Sequence, residues 1–447
     1  MTTTQASTPR LDAQQVHETL RRHMLADGYE MVLDLERSRG AHIHDARSGR
    51  DLLDFFGNFS TVALGLNHPC FDDPEAREQL LRTAINKPAN SDLYTVEMAE
   101  FVSTFARTLP PSLRQHLFFI EGGAMAVENA MKAAFDWKVR KNLAAGRGEL
   151  GSRIVHFREA FHGRSGYTLS VTNTDLNKIL YFPKFDWPRV INPKLRFPVT
   201  AEVIADVERV EEQAIEQIQQ ALVEHRHDVA AILLEPIQAE GGDNHFRPEF
   251  LRRLREIADQ EDVLLIFDEV QTGFGTTGKW WCFEHFGIEP DIVAFGKKTQ
   301  VCGIAASRRL DEVESVFQVS GRINSTWGGS LVDMVRCRII VETMERDGLV
   351  ENAARVGQVL LGELRALEGE MPHRLGNVRG LGLFLAIELP SAEARKAVLA
   401  AMRRHGLLGL SSGERSIRFR PPLVLDERAA REGVERTRRA LVEALPN

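Results

Sequence analysis

Cysteine is scarce in this sequence, and long apolar runs are absent. The 447 residues include four cysteines, widely spaced and without a CxxC pair: Cys70, Cys282, Cys302 and Cys337. This spacing indicates neither a disulfide framework nor a zinc site, so we expect no metal. Residues 1–10 are polar and lack the apolar core of a signal peptide, and no apolar run approaches the ~18 residues of a membrane span. We therefore expect a disordered start, a reducing cytoplasmic setting and no membrane partner.

Positive charge is not in excess either. The formal net charge is −7 and the isoelectric point is near 6.1, so the chain has no basic footprint for nucleic acid or an anionic membrane. Its arginines are scattered among acidic residues, as on solvated helix faces. With 43% hydrophobic and 27% charged residues, the composition is that of a globular enzyme with a large core. We expect no nucleic-acid partner.

Short apolar runs alternate with helical patterns through the middle of the chain. After a short helix at residues 16–24, residues 41–66 are predicted to form a strand meander. From about residue 93, apolar strands such as 229–234 and 263–267 are preceded by amphipathic helices. Strands separated by helices of this length predict right-handed βαβ crossovers and a mostly parallel sheet.

From about residue 331 the pattern changes to long amphipathic helices around two short strands, which predicts a smaller α+β unit. The fold class we expect is therefore α/β, with a mostly parallel sheet. We expect three parts. An N-terminal segment at 1–66 contributes its helix and strands to the small domain, a large domain spans 67–330, and the rest of the small domain spans 331–447.

An acid and a lysine follow two of the predicted strands. The apolar run 263–267 ends in Asp268, and a second run at 292–295 leads to Gly296 and Lys297, 29 positions after the acid. In an open parallel sheet, ligands bind at the carboxyl ends of the strands. The pair suits pyridoxal phosphate, because the lysine can form a Schiff base and the acid can keep the pyridine nitrogen protonated. Two ordinary strand ends with solvated side chains are the alternative.

Two loops favour a small anionic ligand, although each has a plainer interpretation. Gly122 and Gly123 lie between a predicted strand and a helix, where free N–H groups favour phosphate. They match neither a dinucleotide fingerprint nor a Walker A loop, and a tight turn is the alternative. Phe161 could stack on a cofactor ring and Arg164 could clamp a carboxylate, unless both belong to an ordinary surface loop.

Charged residues and a hydroxyl accompany three further strand ends or loops. Glu235 and Glu240 follow an apolar strand and need partners if they are buried, although an exposed turn is the commoner arrangement. Arg418 lies in a predicted strand and would be costly to bury without an anion. The loop 324–329 carries a hydroxyl suited to phosphate, or is a plain glycine-rich turn.

The order and spacing of these motifs resemble those of the class III (ω-amino acid) aminotransferases of pyridoxal-phosphate fold type I, from about residue 25 onwards. The matching landmarks are Gly122-Gly123-Ala124, Phe161-His162-Gly163-Arg164, Glu235-Pro236, Asp268-Glu269-Val270-Gln271, Gly296-Lys297, Thr326 and Arg418-Phe419. Within the class, the chain is most similar to the lysine 6-aminotransferases. The segments that carry this closer similarity are 86–92, 118–124, 295–303 and 324–329. Residues 55–60 match the class least and could line the substrate pocket.

The resemblance assigns a role to each residue around the cofactor. Lys297 would form the Schiff base and then act as the proton-transferring base, with the adjacent Lys298 as the competing candidate. Asp268 would pair with the pyridinium, Gln271 would bond the ring hydroxyl and Phe161 would stack on the ring.

The resemblance also implies a shared site. The N–H groups of Gly123 and Ala124 would hold the phosphate, and Thr326 would reach in from the other subunit. A homodimer would then be needed for a complete site.

The substrate residues implied by the resemblance are two arginines, a glutamate and an asparagine. Lysine must present its ε-amine to the cofactor, so Arg164 would take its α-carboxylate. 2-Oxoglutarate needs a second cation near the chemistry, Arg418, while Arg164 takes its other carboxylate. Glu240 would pair with Arg418 when lysine binds and swing away for the dicarboxylate. Asn324 is assigned to substrate binding as well.

We therefore expect an aminotransferase that converts L-lysine and 2-oxoglutarate into 2-aminoadipate 6-semialdehyde, which cyclises to piperideine-6-carboxylate, and L-glutamate. Another class III ω-aminotransferase, acting on ornithine, 4-aminobutyrate or diaminobutyrate, is the nearest alternative. An aminomutase or racemase of the same fold, which would need no keto acid, and a non-enzymatic pyridoxal-phosphate-binding protein are more distant ones.

Overall fold

The computed structural model describes residues 11–446. The disorder expected for residues 1–10 lies outside the described residues. The helices are α1 (Val16–Arg21), α2 (Gly57–Ser60), α3 (Pro74–Ile85), α4 (Val96–Arg107), α5 (Gly123–Ala144), α6 (Gly166–Val171), α7 (Ala201–Glu224), α8 (Pro248–Gln260), α9 (Leu331–Asp347), α10 (Leu349–Glu370), α11 (Ala392–Arg404) and α12 (Glu427–Ala444). The strands are β1 (His42–Asp45), β2 (Arg50–Asp54), β3 (His116–Ile120), β4 (Arg153–Phe157), β5 (Arg189–Val190), β6 (Val229–Leu234), β7 (Ile237–Gln238), β8 (Asn244–His245), β9 (Leu264–Asp268), β10 (Ile292–Phe295), β11 (Cys302–Ala306), β12 (Gly376–Leu381), β13 (Phe384–Glu388), β14 (Leu407–Leu408), β15 (Leu410–Ser412) and β16 (Ser416–Phe419).

Seven strands form the central sheet, in the order β3-β11-β10-β9-β6-β4-β5. Strand β11 runs antiparallel to both of its neighbours, and the remaining pairs are parallel. The mostly parallel sheet predicted from the sequence is thus confirmed. Strands β6, β9 and β10 are buried along their whole length, because helices cover both faces of the sheet.

Alternate side chains of the central strands enter two different cores. In β6, Ile232 and Leu234 pack with Leu254 of α8, whereas Leu233 packs with Ala130 and Trp137 of α5 on the opposite face. This period of two follows from the strand pleat. The sheet is therefore the middle layer of an α/β/α arrangement, and its strand ends open between the layers.

The two ends of the chain meet in a smaller α+β region. The β1-β2 hairpin pairs with β14, which joins the N-terminal strands to the C-terminal segment. Strands β12, β13, β16 and β15 form a four-stranded antiparallel sheet that packs with α10 and α11. Helix α9 packs instead on α3 and α4. The domain boundaries at 66/67 and 330/331 stay predictions.

The meander predicted for residues 41–66 is present only as far as Asp54. The next residues form α2, a single turn in which Gly57, Asn58, Phe59 and Ser60 all have positive φ, between 48° and 72°. Asp54 stabilises this turn by accepting the N–H groups of residues 56 and 57 at 2.9 and 2.7 Å. A Cβ on Gly57 would lie 2.1 Å from the carbonyl oxygen of residue 420, so only glycine fits there.

Three observations bear on the setting of the protein. No helix within residues 11–446 is both long and apolar enough to span a membrane. In the same part of the chain, no group of three or more His, Cys, Asp or Glu side chains is arranged to hold a metal ion. The four cysteines are free. The cytoplasmic setting stays a prediction.

Candidate active site

A cavity of about 650 Å³ opens at the carboxyl ends of β9 and β10, beside the N-terminus of α5. It brings together residues that lie far apart in the sequence, as expected for a topological switch point of a parallel sheet. Its lining consists of Thr61, Gly122, Gly123, Ala124, Phe161, His162, Gly163, Arg164, Ser165, Glu235, Asp268, Val270, Gln271, Lys297, Gln300 and Cys302.

Asp268 is held in place by two hydrogen bonds. It is the last residue of β9 and is 5% exposed. Its Oδ2 lies 2.8 Å from Nδ1 of His162, and its Oδ1 accepts the N–H of Val270 at 3.0 Å. Nε2 of His162 is buried without a partner, so Nδ1 is the ring nitrogen that orients the carboxylate. The carboxyl group of Asp268 is therefore fixed in position at the cavity wall.

Glu235 anchors the loop that carries Phe161. Its carboxylate accepts the N–H of Phe161 and the N–H of Ala239, each at 2.9 Å. Burial raises the pKa of Glu235, and the nearby charge of Asp268 adds to this effect. The exposed turn considered from the sequence is therefore absent at Glu235, whose role is to fix the aromatic ring's segment against β6.

Lys297 and Lys298 occupy different environments. Lys297 lines the cavity, and within residues 11–446 its ammonium has no hydrogen-bond or ion-pair partner. Burial, followed by the charge of Arg418, lowers the pKa of Lys297 to about 7. Much of the amine is therefore neutral and nucleophilic near neutral pH. Lys298 is buried elsewhere and donates to the hydroxyl and carbonyl oxygens of Ser60. The geometry favours Lys297 as the reactive lysine.

The N-terminus of α5 forms an anion-binding cradle. Gly122 precedes the helix with φ of 94° and provides no side-chain cap. The first N–H groups of the helix, at Gly123 and Ala124, therefore lack acceptors within the helix and point their dipoles at the cavity. A Cβ on Gly163 would lie 2.5 Å from Cβ of Ala124, so this glycine lets the 161–164 loop pass close to the cradle.

These groups fit pyridoxal phosphate. Lys297 offers a neutral amine for the aldehyde, Asp268 a carboxylate for the ring nitrogen, and the α5 N-terminus a site for the phosphate. Phe161 and Val270 also line the cavity, and their side chains would offer apolar surfaces to the ring.

Arg418 is buried next to the cavity without a carboxylate partner. It lies in β16 and is 4% exposed. Its Nη1 is 3.4 Å from Oε1 of Gln271, and its Nε is buried without a hydrogen bond. Gln271, which the resemblance assigns to the ring hydroxyl, thus turns its amide oxygen towards Arg418 in this structure. A buried guanidinium with an unsatisfied N–H is suited to an incoming carboxylate.

The Glu240–Arg418 pair, which is predicted for the lysine-bound state, is not formed in this structure. The side chain of Glu240 turns instead towards the loop after α6, where its Oε1 accepts the hydroxyl of Thr174 at 2.8 Å and forms an ion pair with Lys178. The cause is local, because this loop supplies two donors to the half-buried carboxylate. Nothing in the sequence spacing indicated that Thr174 or Lys178 lies beside Glu240.

The remaining site residues predicted from the sequence lie at the rim or outside it. Arg164 lines the cavity, is exposed, and makes no ion pair with any described residue. Asn324 and Thr326 are exposed and do not line the cavity of their own chain. Their loop is tied to a different segment, since the carbonyl of Thr326 accepts the hydroxyl of Ser91 at 3.3 Å.

Comparison with known proteins shows the family. The model of the family "Aminotransferase class-III" matches residues 24–441. The L-lysine-epsilon aminotransferase of Mycobacterium tuberculosis is 49% identical over 96% of this chain and 95% of its own length, and that of Amycolatopsis lactamdurans is 48% identical over 95% of both. The lysine aminotransferase from M. tuberculosis in the internal aldimine form has a TM-score of 0.94 at 48% identity, covering 98% of this chain and 99% of that one.

The mouse mitochondrial 4-aminobutyrate aminotransferase is 31% identical over 91% of this chain and 84% of its own length. The matches thus extend over nearly the whole chain and include the strand ends that carry Asp268 and Lys297. The chain belongs to the class III aminotransferases, which depend on pyridoxal phosphate.

Proposed function

We propose that the protein transfers the ε-amino group of L-lysine to 2-oxoglutarate, giving 2-aminoadipate 6-semialdehyde, which cyclises to piperideine-6-carboxylate, and L-glutamate. The observation that carries the proposal is the 45–49% identity to L-lysine-epsilon aminotransferases over more than nine-tenths of the chain. The 4-aminobutyrate aminotransferases are more distant, at 30–31% identity. This gap favours lysine over the other ω-amines.

The cofactor end of the cavity supports the transfer chemistry. Bound pyridoxal phosphate supplies an electron-withdrawing ring that stabilises negative charge on the carbon bearing the amine. Lys297, with its pKa lowered to about 7, is suited to taking the proton from that carbon and returning it. Asp268, oriented by His162, would keep the ring nitrogen protonated.

Arg164 supports recognition of a donor with a distant carboxylate. It lies at the exposed rim, in the same cavity as Lys297, and its guanidinium is not engaged by any described carboxylate. Lysine that binds its α-carboxylate there would direct the ε-amine inwards. Transfer of the ε-amine rather than the α-amine follows from this orientation.

Arg418 supports a dicarboxylate acceptor. Its buried, unsatisfied Nε is poised for the carboxylate next to the keto group of 2-oxoglutarate, while Arg164 binds the other carboxylate. The same cation would repel an amine donor. Glu240, one of the acids whose charge acts on Arg418, would neutralise it when lysine binds.

We also propose a homodimer with shared sites. Thr326 and Asn324 lie on the surface, away from the cavity of their own chain, which supports a role in the site of a second copy. The loop is hydrogen-bonded to Ser91, and large apolar side chains that follow Ser91 in the sequence are exposed, Leu93 at 68% and Tyr94 at 79%. Hybrid dimers provide the test. A Lys297→Ala chain combined with a Thr326→Ala chain should contain one intact site, and restored activity would require the sharing.

A donor panel tests the substrate assignment. L-Lysine, L-ornithine, 4-aminobutyrate and 2,4-diaminobutyrate are each incubated with 2-oxoglutarate, and glutamate is measured. Lysine should be preferred. Lysine carrying ¹⁵N at the ε position should pass its label to glutamate, whereas label at the α position should stay in the cyclic product. Transfer of the α-label, or a clear preference for another donor, would refute the assignment.

A further inference from the structure

The loop at residues 172–178 holds the side chain of Glu240. The hydroxyl of Thr174 donates to Oε1 of Glu240 at 2.8 Å, and the ammonium of Lys178 pairs with the same oxygen. The side chains of Lys178 and Glu240 are only 29% and 21% exposed, so water screens their attraction less than it does at the surface. The Lys178 ammonium also lies 5.4 Å from the ring centre of Phe161. Lys178 is therefore part of the cavity's surroundings.

The backbone of Glu240 is fixed independently of this loop. Its carbonyl accepts the N–H of Gly413 at 2.8 Å, which connects it to the segment before β16. Rotation of the Glu240 side chain can therefore redirect the carboxylate without moving the main chain. Two cations interact with its charge: Lys178 on the loop, which is paired with it, and Arg418 on β16, which is not.

Within residues 11–446, two other carboxylates act on the charge of Arg418, those of Asp243 and Glu235, and both are engaged elsewhere. Asp243 accepts two hydrogen bonds from Arg420, at 2.7 and 2.8 Å, and Glu235 accepts the N–H groups of Phe161 and Ala239. Among the described residues, the side chain of Arg418 donates a hydrogen bond only to the neutral amide of Gln271. The position of Glu240 thus decides whether Arg418 is a free or a neutralised cation.

We propose that Lys178 and Thr174 form a latch that holds Glu240 away from Arg418 and so keeps the site ready for a dicarboxylate. Release of the latch lets Glu240 reach Arg418 when a cationic amine donor binds. The inference rests on the proposed use of a dicarboxylate acceptor. Lys178 is a positioning residue in this scheme, since it acts through Glu240 and Arg418.

Glutarate, a dicarboxylate without a reactive carbonyl, tests the latch by calorimetric titration of the cofactor-loaded protein. Lys178→Met should weaken glutarate binding about fivefold to tenfold, because Glu240 then pairs with Arg418. Thr174→Val should weaken it less, and Lys178→Arg should restore it. Lys194→Met is the matched control, because Lys194 also pairs with a glutamate, Glu159, at 2.8 Å but lies outside the cavity. Its affinity should equal that of the unmodified protein.

A double variant separates the latch from a merely structural role. In Lys178→Met/Glu240→Ala no carboxylate remains to occupy Arg418, so glutarate should bind at least as tightly as to the unmodified protein. Damage to the fold caused by Lys178→Met would not be repaired by a second substitution. The amine half-reaction gives an independent measurement. In single-turnover mixing, Lys178→Met should lower the apparent dissociation constant for the donor, although it weakens the binding of glutarate.

The results distinguish this inference from the function on which it rests. If the unmodified protein binds glutarate but Lys178→Met binds it equally well, or the double variant remains as weak as Lys178→Met, the latch is wrong and the dicarboxylate acceptor stands. If the unmodified protein does not bind glutarate, the dicarboxylate acceptor is wrong, and the latch with it. A donor other than lysine would not affect the glutarate titrations, which contain no donor.

Discussion

The two ends of the active-site cavity are built in different ways. At the cofactor end, Asp268 and Lys297 follow buried strands, and the hydrogen bonds that orient Asp268 come from the same chain. At the substrate end, Arg164 and Glu240 lie on loops, and Arg418 is buried without a carboxylate. The residues that this chain supplies to the cofactor end are in place once the sheet folds, whereas the substrate end requires a ligand or a change of partner to satisfy its charges.

The difference matches the demands of the chemistry. One cofactor is used in both half-reactions, so a rigid arrangement serves both. The two substrates proposed above differ in charge near the reacting carbon, so the residues that bind them would need to offer two arrangements. Loops and unpaired cations allow such a change, since a partner swap costs less than repacking a buried sheet.

The largest effect on activity should come from substitution of Lys297, at the cofactor end. Lys297→Ala should lower turnover by at least about 10⁴-fold, because a nucleophile and a positioned base are lost together. Borohydride reduction of the loaded protein, followed by peptide mapping, should place the cofactor on Lys297. A label on Lys298 would contradict this, because its ammonium is engaged by Ser60.

Substitutions of Arg418 and Arg164 should differ in the size of their effects and in the half-reaction that they affect. Arg418→Ala should weaken 2-oxoglutarate by about 2–5 kcal/mol, as expected for a buried charge pair, and spare the lysine half-reaction. Arg164→Ala should weaken both substrates, but by only about 1.5–3 kcal/mol, because this arginine is exposed. Single-turnover mixing of each half-reaction provides the measurement.

Arg415→Ala is the control for these two variants. Arg415 lies just before β16, pairs with Glu388 and does not line the cavity, so neither half-reaction should change. If Arg418→Ala slows the lysine half-reaction as much as the 2-oxoglutarate half-reaction, then Arg418 does not serve the keto acid alone, as proposed.

Substitution of His162 tests whether the cofactor end depends on its internal hydrogen bonds. His162→Leu removes the donor to Asp268, an interaction worth roughly 1.5–3 kcal/mol when one partner is charged. Turnover should therefore fall by about 10- to 100-fold, and cofactor should dissociate more readily. His162→Asn retains a donor near Nδ1 and should recover part of both. Equal loss in the two variants would show that ring packing matters more than the hydrogen bond.

The sequence predicted the residues of the cofactor end better than the arrangement of the substrate end. Asp268, Lys297 and the glycines before α5 follow apolar runs whose strand character is unambiguous, and parallel strands bring their ends together. His162 was missed as a partner of Asp268, although it lies inside a quoted motif. A local pattern does not show that residues 106 positions apart are hydrogen-bonded.

The arrangement of the substrate end and the turn of α2 could not be predicted from local sequence patterns. The orientation of Glu240 depends on Lys178, 62 positions away, and both lie on loops. The turn of α2 depends on the close approach of Gly57 to the backbone at residue 420. The amphipathic helix before β6, predicted from the sequence at residues 211–225, begins instead at Ala201, because Thr200 accepts the N–H of residue 203 and caps the helix there.

The smallest expected effect is electrostatic and links the two ends of the cavity. Burial, and then the charge of Arg418, lowers the pKa of Lys297 to about 7. Only the neutral amine attacks the cofactor aldehyde, so the rate of covalent attachment to the apoprotein should rise with pH through about 7 and level off above it. Arg418→Gln removes a positive neighbour that disfavours the ammonium, so the pKa of Lys297 should rise and the midpoint should move to higher pH. Arg415→Gln should leave the midpoint in place. A midpoint unchanged in Arg418→Gln would mean that the cation proposed for the acceptor does not act on the pKa of the reactive lysine.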